Sequence, residues 1–360
     1  MFTTPGVASN WKGLSWSQLP ADNPLVTADP GVRVLAWQHG YVIYGTTSGG
    51  ESGFVWTSPD GLTWTQATAI VAPQVLVATG PNGLVAVGAT VPTETVWTSS
   101  DGVHWLDAGS PSGLAEVDSI AGTSAGLVAT GHSDVGSGKF ATQTFSVAFS
   151  TDGVAWTPVD VQQQITWDEV GPQVQSGNGR FFVMGGYTNG VADNTAFRLD
   201  AFDGAGGLGG PGLVGSGAAG KGGLWWSDDG RKWTSTGEWV YATSLVFGRG
   251  GILVYESPRL IPGSTSLALS TDGGKTWASA HDGPVGAIVC GQGECSDGPD
   301  GTFASNGTVI VALKSNGKTW TSYDGKTWTS IADAGPANYF GPVLVLPRGV
   351  VFGSAYGAAK

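Results

Sequence analysis

The sequence predicts an all-β fold, a single seven-bladed β-propeller of four-stranded antiparallel blades, the last closed by the N- and C-terminal strands together. Three observations predict it. The segment Ser-x-Asp-Gly-x-x-Trp recurs along the whole chain, a glycine turn followed by a short apolar run recurs in step with it, and the half-repeat lacking at one end is present at the other. Fixed-period self-similarity of this kind is read before any single motif, because it decides the architecture.

The first marker supplies the turn between the third and fourth strands of each repeat. Its copies are Ser58 to Trp64, Ser99 to Trp105, Ser150 to Trp156, Ser227 to Trp233 and Ser322 to Trp328, with a sixth, Ser270 to Trp277, one residue longer. Ser and Asp side chains accept hydrogen bonds from backbone N–H groups just ahead of them, and Gly supplies the positive φ of the reversal. Trp then buries a large ring as the next strand begins.

The second marker supplies the first two strands. Gly40 to Gly45, Gly83 to Gly88 and Gly126 to Gly131 read Gly-x-Val-x-x-Gly or close to it, and looser copies begin at Gly179, Gly251, Gly307 and Gly349. Asn82-Gly83, Asn178-Gly179 and Asn306-Gly307 are strong hairpin signals. Apolar runs such as Val32 to Trp37 and Gln74 to Ala78 precede the turns. The seventh run, Gly349 to Gly353, has no turn segment after it. Ser9 to Trp16 supplies one, with Trp11 in the place of Asp and Trp16 in the place of Trp. Pairing the two chain ends removes a free sheet edge. One domain over 1–360 is expected, with blades at about 22–70, 71–111, 112–160, 161–237, 238–281, 282–332, and 333–360 plus 1–21.

Composition narrows the function classes. The chain has 360 residues, 60 Gly, 16 Trp and only 12% charged residues, with 41% apolar. Ordinary domains carry about 7% Gly and about 25% charge. Collagen is excluded by the lack of a three-residue glycine period, and wholesale disorder by the apolar and aromatic content. A net charge of −12 with no basic cluster argues against nucleic acid. No apolar run is long enough to span a bilayer. Low charge and two nearby cysteines point to an exported protein, although the first residues carry no export signal. Cys290 and Cys295 enclose Gly-Gln-Gly-Glu, short enough to close as a disulfide, with two free thiols as the alternative.

The repeated segment resembles the Asp box, and the chain is similar from end to end to the Asp-box (BNR repeat) β-propeller family. That family includes sialidases, xyloglucan-cleaving glycoside hydrolases, sortilin-type receptors and photosystem II assembly factors. The resemblance implies that the boxes lie on the face away from the binding site. Asp60, Asp101, Asp152, Asp229, Asp272 and Asp324 are then structural. Function is left open, because one architecture hosts many activities.

The loops opposite the boxes carry the functional candidates. Two connections stand out in length, His132 to Ser146 and Gly186 to Gly223, the second holding a glycine-rich insertion at 200–223. Gly215 to Lys221 spells most of a phosphate loop, but a glycine tract precedes it and a strand follows where a helix is needed, so nucleotide binding is rejected. Trp167, Asp168 and Glu169, and in the next repeat Glu238, Trp239 and Tyr241, place indoles beside carboxylates, which suits sugar hydroxyls. Glu116 and Asp118 are two apart on a strand, where same-face side chains lie about 6.5–7 Å apart, a separation that two-carboxylate glycosidases use. Solvated acids and rim packing are the structural alternative for all of these.

A sialidase reading is weak. Of seven arginines only Arg33, Arg198 and Arg259 fall where a grip on a sugar carboxylate could form, and Val32-Arg33-Val34 stands where the family has Arg-Ile-Pro. No histidine pair has metal-ligand spacing, so neither metal nor cofactor is expected. The expectation is an exported, monomeric binding or scaffold module for a glycan or protein partner. The alternative is a glycoside hydrolase or lyase using carboxylates near Glu116, Asp118 and Glu169.

Overall fold

A computed structural model describes residues 11, 13–26, 32–47, 52–90, 93–113, 116–135, 142–159, 173–188, 221–239, 242–256, 267–279, 290–291, 294–295, 301–314, 317–331, 335, 343–352 and 354–360. Among them there is no helix. Strand β1 (Leu14–Gln18) precedes a sheet of β2 (Arg33–Trp37), β3 (Gly40–Thr46), β4 (Gly53–Ser58) and β5 (Thr65–Gln66). The next sheet is β6 (Gln74–Gly80), β7 (Gly83–Thr90), β8 (Thr93–Ser99) and β9 (Leu106–Gly109). It is followed by β10 (Glu116–Thr123), β11 (Gly126–Val135), β12 (Thr142–Ser150) and β13 (Thr157–Val159), then by β14 (Gln173–Gly177), β15 (Arg180–Thr188), β16 (Lys221–Ser227) and β17 (Thr234–Trp239). A fifth group is β18 (Ala242–Phe247), β19 (Ile252–Glu256), β20 (Leu267–Ser270) and β21 (Ala278–Ser279).

After a two-stranded hairpin, β22 (Cys290–Gly291) and β23 (Glu294–Cys295), come β24 (Gly301–Ser305), β25 (Ile310–Lys314), β26 (Thr319–Ser322) and β27 (Thr329–Ile331). Finally β28 (Val343–Leu346), β29 (Gly349–Phe352) and β30 (Ala355–Ala359) take β1 as their fourth strand. Among the described residues this makes seven four-stranded antiparallel sheets, each a meander with strands in chain order except for the one that borrows β1. The predicted long connection from His132 to Ser146 is mostly strand, because β11 and β12 pair out to Val135 and Thr142. Thr142, Thr144 and Phe145 are residue types that favour a pleated ladder.

The chain divides into two compact units, residues 1–44, 56–66 and 243–360 in one and 45–55 and 67–242 in the other. In the second unit, successive residues of one strand serve different neighbours. Leu127 and Ala129 of β11 pack with Val85, Val87 and Ala78, whereas Val128 packs with Val174, Phe181 and Val183. The first unit repeats the pattern in β25, where Val311 and Leu313 meet Val345, Val350 and Phe352 while Ile310 and Ala312 meet Val246 and Phe303. Burial on both faces explains why the second strands read as unbroken apolar runs. Each fully buried aliphatic contributes about 1.5–3 kcal/mol.

The repeated turns share one geometry. The serine Oγ accepts the box glycine N–H at 2.8 Å in five copies and at 2.7 Å in the sixth, and donates to the aspartate Oδ1 at 2.8–3.2 Å. The same Oδ1 accepts two amides further on, such as Val154 N at 2.9 Å and Ala155 N at 3.0 Å. In the longer copy both bonds shift by one residue, to Lys275 and Thr276, and the extra residue Gly273 takes φ 77° beside Gly274 at 87°. Trp105, Trp156, Trp233, Trp277 and Trp328 donate Nε1–H to the box glycine carbonyl at 2.8–3.2 Å. Trp64 does not; its Nε1 is buried without a partner among the described residues.

In β1 the register differs from the predicted one. Every box Trp directly precedes its fourth strand, whereas Trp16 lies inside β1, opposite Gly357 and edge-on to Phe352 at 4.9 Å. Trp11, placed in the aspartate position by the sequence alignment, is 3% exposed and packs with Val309, Val311, Val345 and Val350. It fills the inter-sheet position that Trp156 fills between β7 and β11. The two ends are further tied by Lys360 N–H to Gly13 O at 3.0 Å and Leu19 N–H to Ser354 O at 2.7 Å.

Candidate functional site

Six aspartates are committed to their own turns. The amides of Val154 and Ala155 hold Asp152 below the ordinary carboxylate range, and the amides of Lys232 and Arg231 do so for Asp229. In Asp60, Asp272 and Asp324 partial burial pushes upward, but turn amides and the Ser and Thr hydroxyls outweigh it. Asp101 is lowered most directly by His104, whose Nδ1 lies 2.6 Å from Oδ2. Carboxylates this well solvated by donors are poor bases and poor acids near neutrality.

The opposite end of the sheets is built differently. In the second unit, β6, β10 and β14 are the first strands of adjacent sheets and begin with Gln74, Glu116 and Gln173. Ser119 stitches two of them, donating Oγ–H to Val174 O and accepting Val174 N–H, both at 3.2 Å. The register of β10 on β11 runs Glu116 to His132 and Val117 to Gly131, then jumps to Ser119 with Thr130. Asp118 is therefore the extra residue of a β-bulge. Its carboxylate is not two regular pleats from Glu116, so the same-face spacing expected from the sequence does not hold, because a bulge interrupts the period of two. Glu116 is exposed and Asp118 half-buried. Gly131 makes the bulge possible, since a Cβ there would run into the Glu116 carbonyl.

One residue at this site escaped the sequence reading. Glu94, at the start of β8, reaches across and accepts the Val117 N–H through Oε1 at 2.7 Å, next to the bulge. Its separation from Val117 in sequence leaves no local pattern; the only signal was a single charged residue near the start of a third strand that carries no other charge. Glu94, Glu116 and Asp118 thus share one end of one sheet pair. Bulges recur beside functional sites because they re-aim a side chain.

Trp167, Asp168, Glu169 and Tyr241 lie outside the described residues, as does 200–220 of the glycine-rich insertion. Glu238 and Trp239 close the fourth strand β17, opposite Gly223 and Gly222, rather than opening the next repeat. The residues after the insertion form strand β16 and not a helix, as the rejection of nucleotide binding requires. Asn306, a glycosylation acceptor by sequence, spends Oδ1 on the amides of Thr308 and Val309 at 3.0 and 2.9 Å, as a turn residue does. A cavity of about 200 Å³ lies at the box end of the first unit, lined by Trp11, Tyr323, Asp324 and neighbouring Thr and Ser hydroxyls. Its Ser322 and Asp324 are already bonded within their turn. Among the described residues no group of His, Cys, Asp and Glu could hold a metal, and no helix is long and apolar enough to cross a membrane.

No protein-family model and no curated protein sequence matches this chain. Solved structures to which it is similar include YCF48 bound to a D1 peptide, at 14% identity over 98% of each chain with a TM-score of 0.33. They also include the computationally designed Ika8 protein, at 12% identity over 95% of this chain and 98% of that one with a TM-score of 0.43. A third is the Pyrococcus horikoshii acylaminoacyl peptidase, at 12% identity and a TM-score of 0.44, where 90% of this chain covers 46% of the other.

Proposed function

We propose that the chain is an exported Asp-box β-propeller of seven blades that serves as a binding or scaffold module, presenting the end opposite its box turns to a protein partner. Seven meandering sheets, six turns of one geometry and a sheet shared by both chain ends support the architecture. The functional reading rests on the bulge at Asp118. It brings exposed Glu116 and half-buried Asp118 to one end of the sheets beside the half-buried Glu94, with Gln74 and Gln173 at the entrances of the neighbouring first strands. Carboxylates beside side-chain amides suit an extended basic peptide: Lys or Arg meets the charge, and glutamine pairs with peptide backbone.

A peptide array of basic and neutral sequences, run beside a glycan array with wild type and the Glu116→Gln/Asp118→Asn double variant, tests this. Binding of basic peptides that weakens at least tenfold in the variant and declines with salt supports it. Binding to glycans alone would replace the protein partner with a sugar. Turnover of a glycan that the double variant abolishes would replace the binding module with a hydrolase or lyase.

A further inference from the structure

The hairpin β22–β23 is a sheet of its own, with two residues in each strand. It stands within residues 280–300, the longest connection between sheets in the described architecture, from the fourth strand β21 to the first strand β24. Isolated two-stranded hairpins are marginal in water even at ordinary length. A ladder this short needs something besides its backbone bonds to hold its register.

The register itself points to the device. Gly291 pairs with Glu294 and Cys290 with Cys295, and only Gln292 and Gly293 intervene. In an antiparallel ladder, hydrogen-bonded and non-hydrogen-bonded pairs alternate, and the pair flanking a two-residue loop is the hydrogen-bonded one. The cysteines therefore occupy the non-hydrogen-bonded pair, where Cα atoms stand about 4.5 Å apart and side chains approach closest. Disulfides take Cα separations of about 4.4–6.8 Å. These are the only two cysteines in the chain.

We propose that Cys290 and Cys295 form a reversible disulfide that latches this hairpin, so that its pairing responds to redox state. Closure needs an oxidant, and a small-molecule disulfide such as oxidised glutathione supplies it. One cysteine thiolate attacks a glutathione sulfur, releasing a glutathione thiolate and leaving a mixed disulfide. The second cysteine thiolate displaces the remaining glutathione. Two protein thiols are oxidised, one glutathione disulfide is reduced to two thiols, and the two protein protons pass to the released thiolates. The cross-link removes open states from a six-residue loop, which favours the closed hairpin about 40-fold by chain entropy. The proposal is independent of what the protein binds.

The full chain is equilibrated in oxidised glutathione, the small molecules are removed, and the protein is denatured and alkylated with iodoacetamide with and without prior reduction. No adduct without reductant and two adducts with it are expected. Hydrogen exchange then compares peptides spanning 290–295 in the oxidised and reduced protein, and in a Cys290→Ser/Cys295→Ser variant. Amides of the hairpin should exchange at least tenfold faster when reduced or substituted, while those of β24 and β25 stay unchanged. Two adducts without reductant, or stable glutathione adducts, would overturn the bond. Closure with no change in hairpin exchange would overturn the latch.

Discussion

The five indole bonds of the box turns and their missing sixth make a matched experiment. Trp156 is 5% exposed, packs against Val85, Val87 and Leu127, and donates to Gly153 O at 2.8 Å. Trp156→Phe removes that bond, about 1 kcal/mol net, and leaves a cavity where the larger ring was, about 1–2 kcal/mol more. The sum is a loss of about 2–3 kcal/mol. Trp64 is half-buried, and its Nε1 is buried with no partner among the described residues. An orphaned donor of this kind costs about 1–3 kcal/mol. Trp64→Phe removes the donor along with a smaller ring volume, so the terms offset and the change should lie within about 1 kcal/mol of zero. Urea unfolding followed by far-ultraviolet circular dichroism reads both variants, with unchanged m-values confirming that midpoints report stability. Because the two tryptophans belong to different compact units, each variant is scored on the transition it moves. Equal destabilisation by the two substitutions would refute the reasoning.

Three further outcomes are expected. Gly122→Ala drives a Cβ into the Thr79 carbonyl, whereas Gly80→Ala presses on the Leu127 side chain at 3.3 Å and reaches the Gly83 carbonyl at an ordinary contact distance of 3.6 Å; the first should cost about 2–3 kcal/mol or more and the second under about 1 kcal/mol by thermal unfolding. Asp152→Ala withdraws the acceptor from two turn amides and should cost about 1–2 kcal/mol, as a lost helix cap does; a change near zero would mean that water replaces the carboxylate fully. The phenol of Tyr41 is pushed up to about 12 by burial and then by the charge of Asp60. Its stabilisation is complete below the unfolded value near 10 and is lost as pH rises through the folded one, while the depressed box aspartates contribute above about pH 4 and are lost on acidification. Absorbance at 295 nm should show a late-ionising step in the folded protein that includes Tyr41 and Tyr44, whose phenol burial also pushes up; Tyr41→Phe should shrink that step, and denaturation should abolish it.

Much of the fold was legible because its determinants are local. Ser58, Asp60 and Gly61 lie within four positions and bond to one another, so the turn is written in consecutive letters. Alternate residues of β11 and β25 face two different cores, so the apolar runs announced strands buried on both sides. The site was less legible because its determinants are not local. The bulge at Asp118 depends on Gly131 across the ladder and on Glu94 from a different sheet, and no spacing rule along β10 reveals either. Trp16, aligned by sequence with the tryptophans of the repeated turn, lies inside β1 for a similar reason: its place is set by pairing with Gly357 of β30, and Trp11 is held by packing between sheets.

The pairing of β1 with β30 also constrains biosynthesis. Ser17 bonds to Tyr356, which lies 339 residues further along. At about 5–20 residues per second, a ribosome takes roughly 20–70 s to deliver that partner. Throughout that interval a nascent strand alternating apolar Leu14 and Trp16 with polar Ser15, Ser17 and Gln18 waits with no strand partner, its backbone donors and acceptors bonded only to water. Cells making this protein must keep that strand from annealing to a neighbouring nascent copy, so yield in a host lacking trigger-type chaperones should fall more steeply with expression rate than for a protein whose sheets finish in the order they are translated.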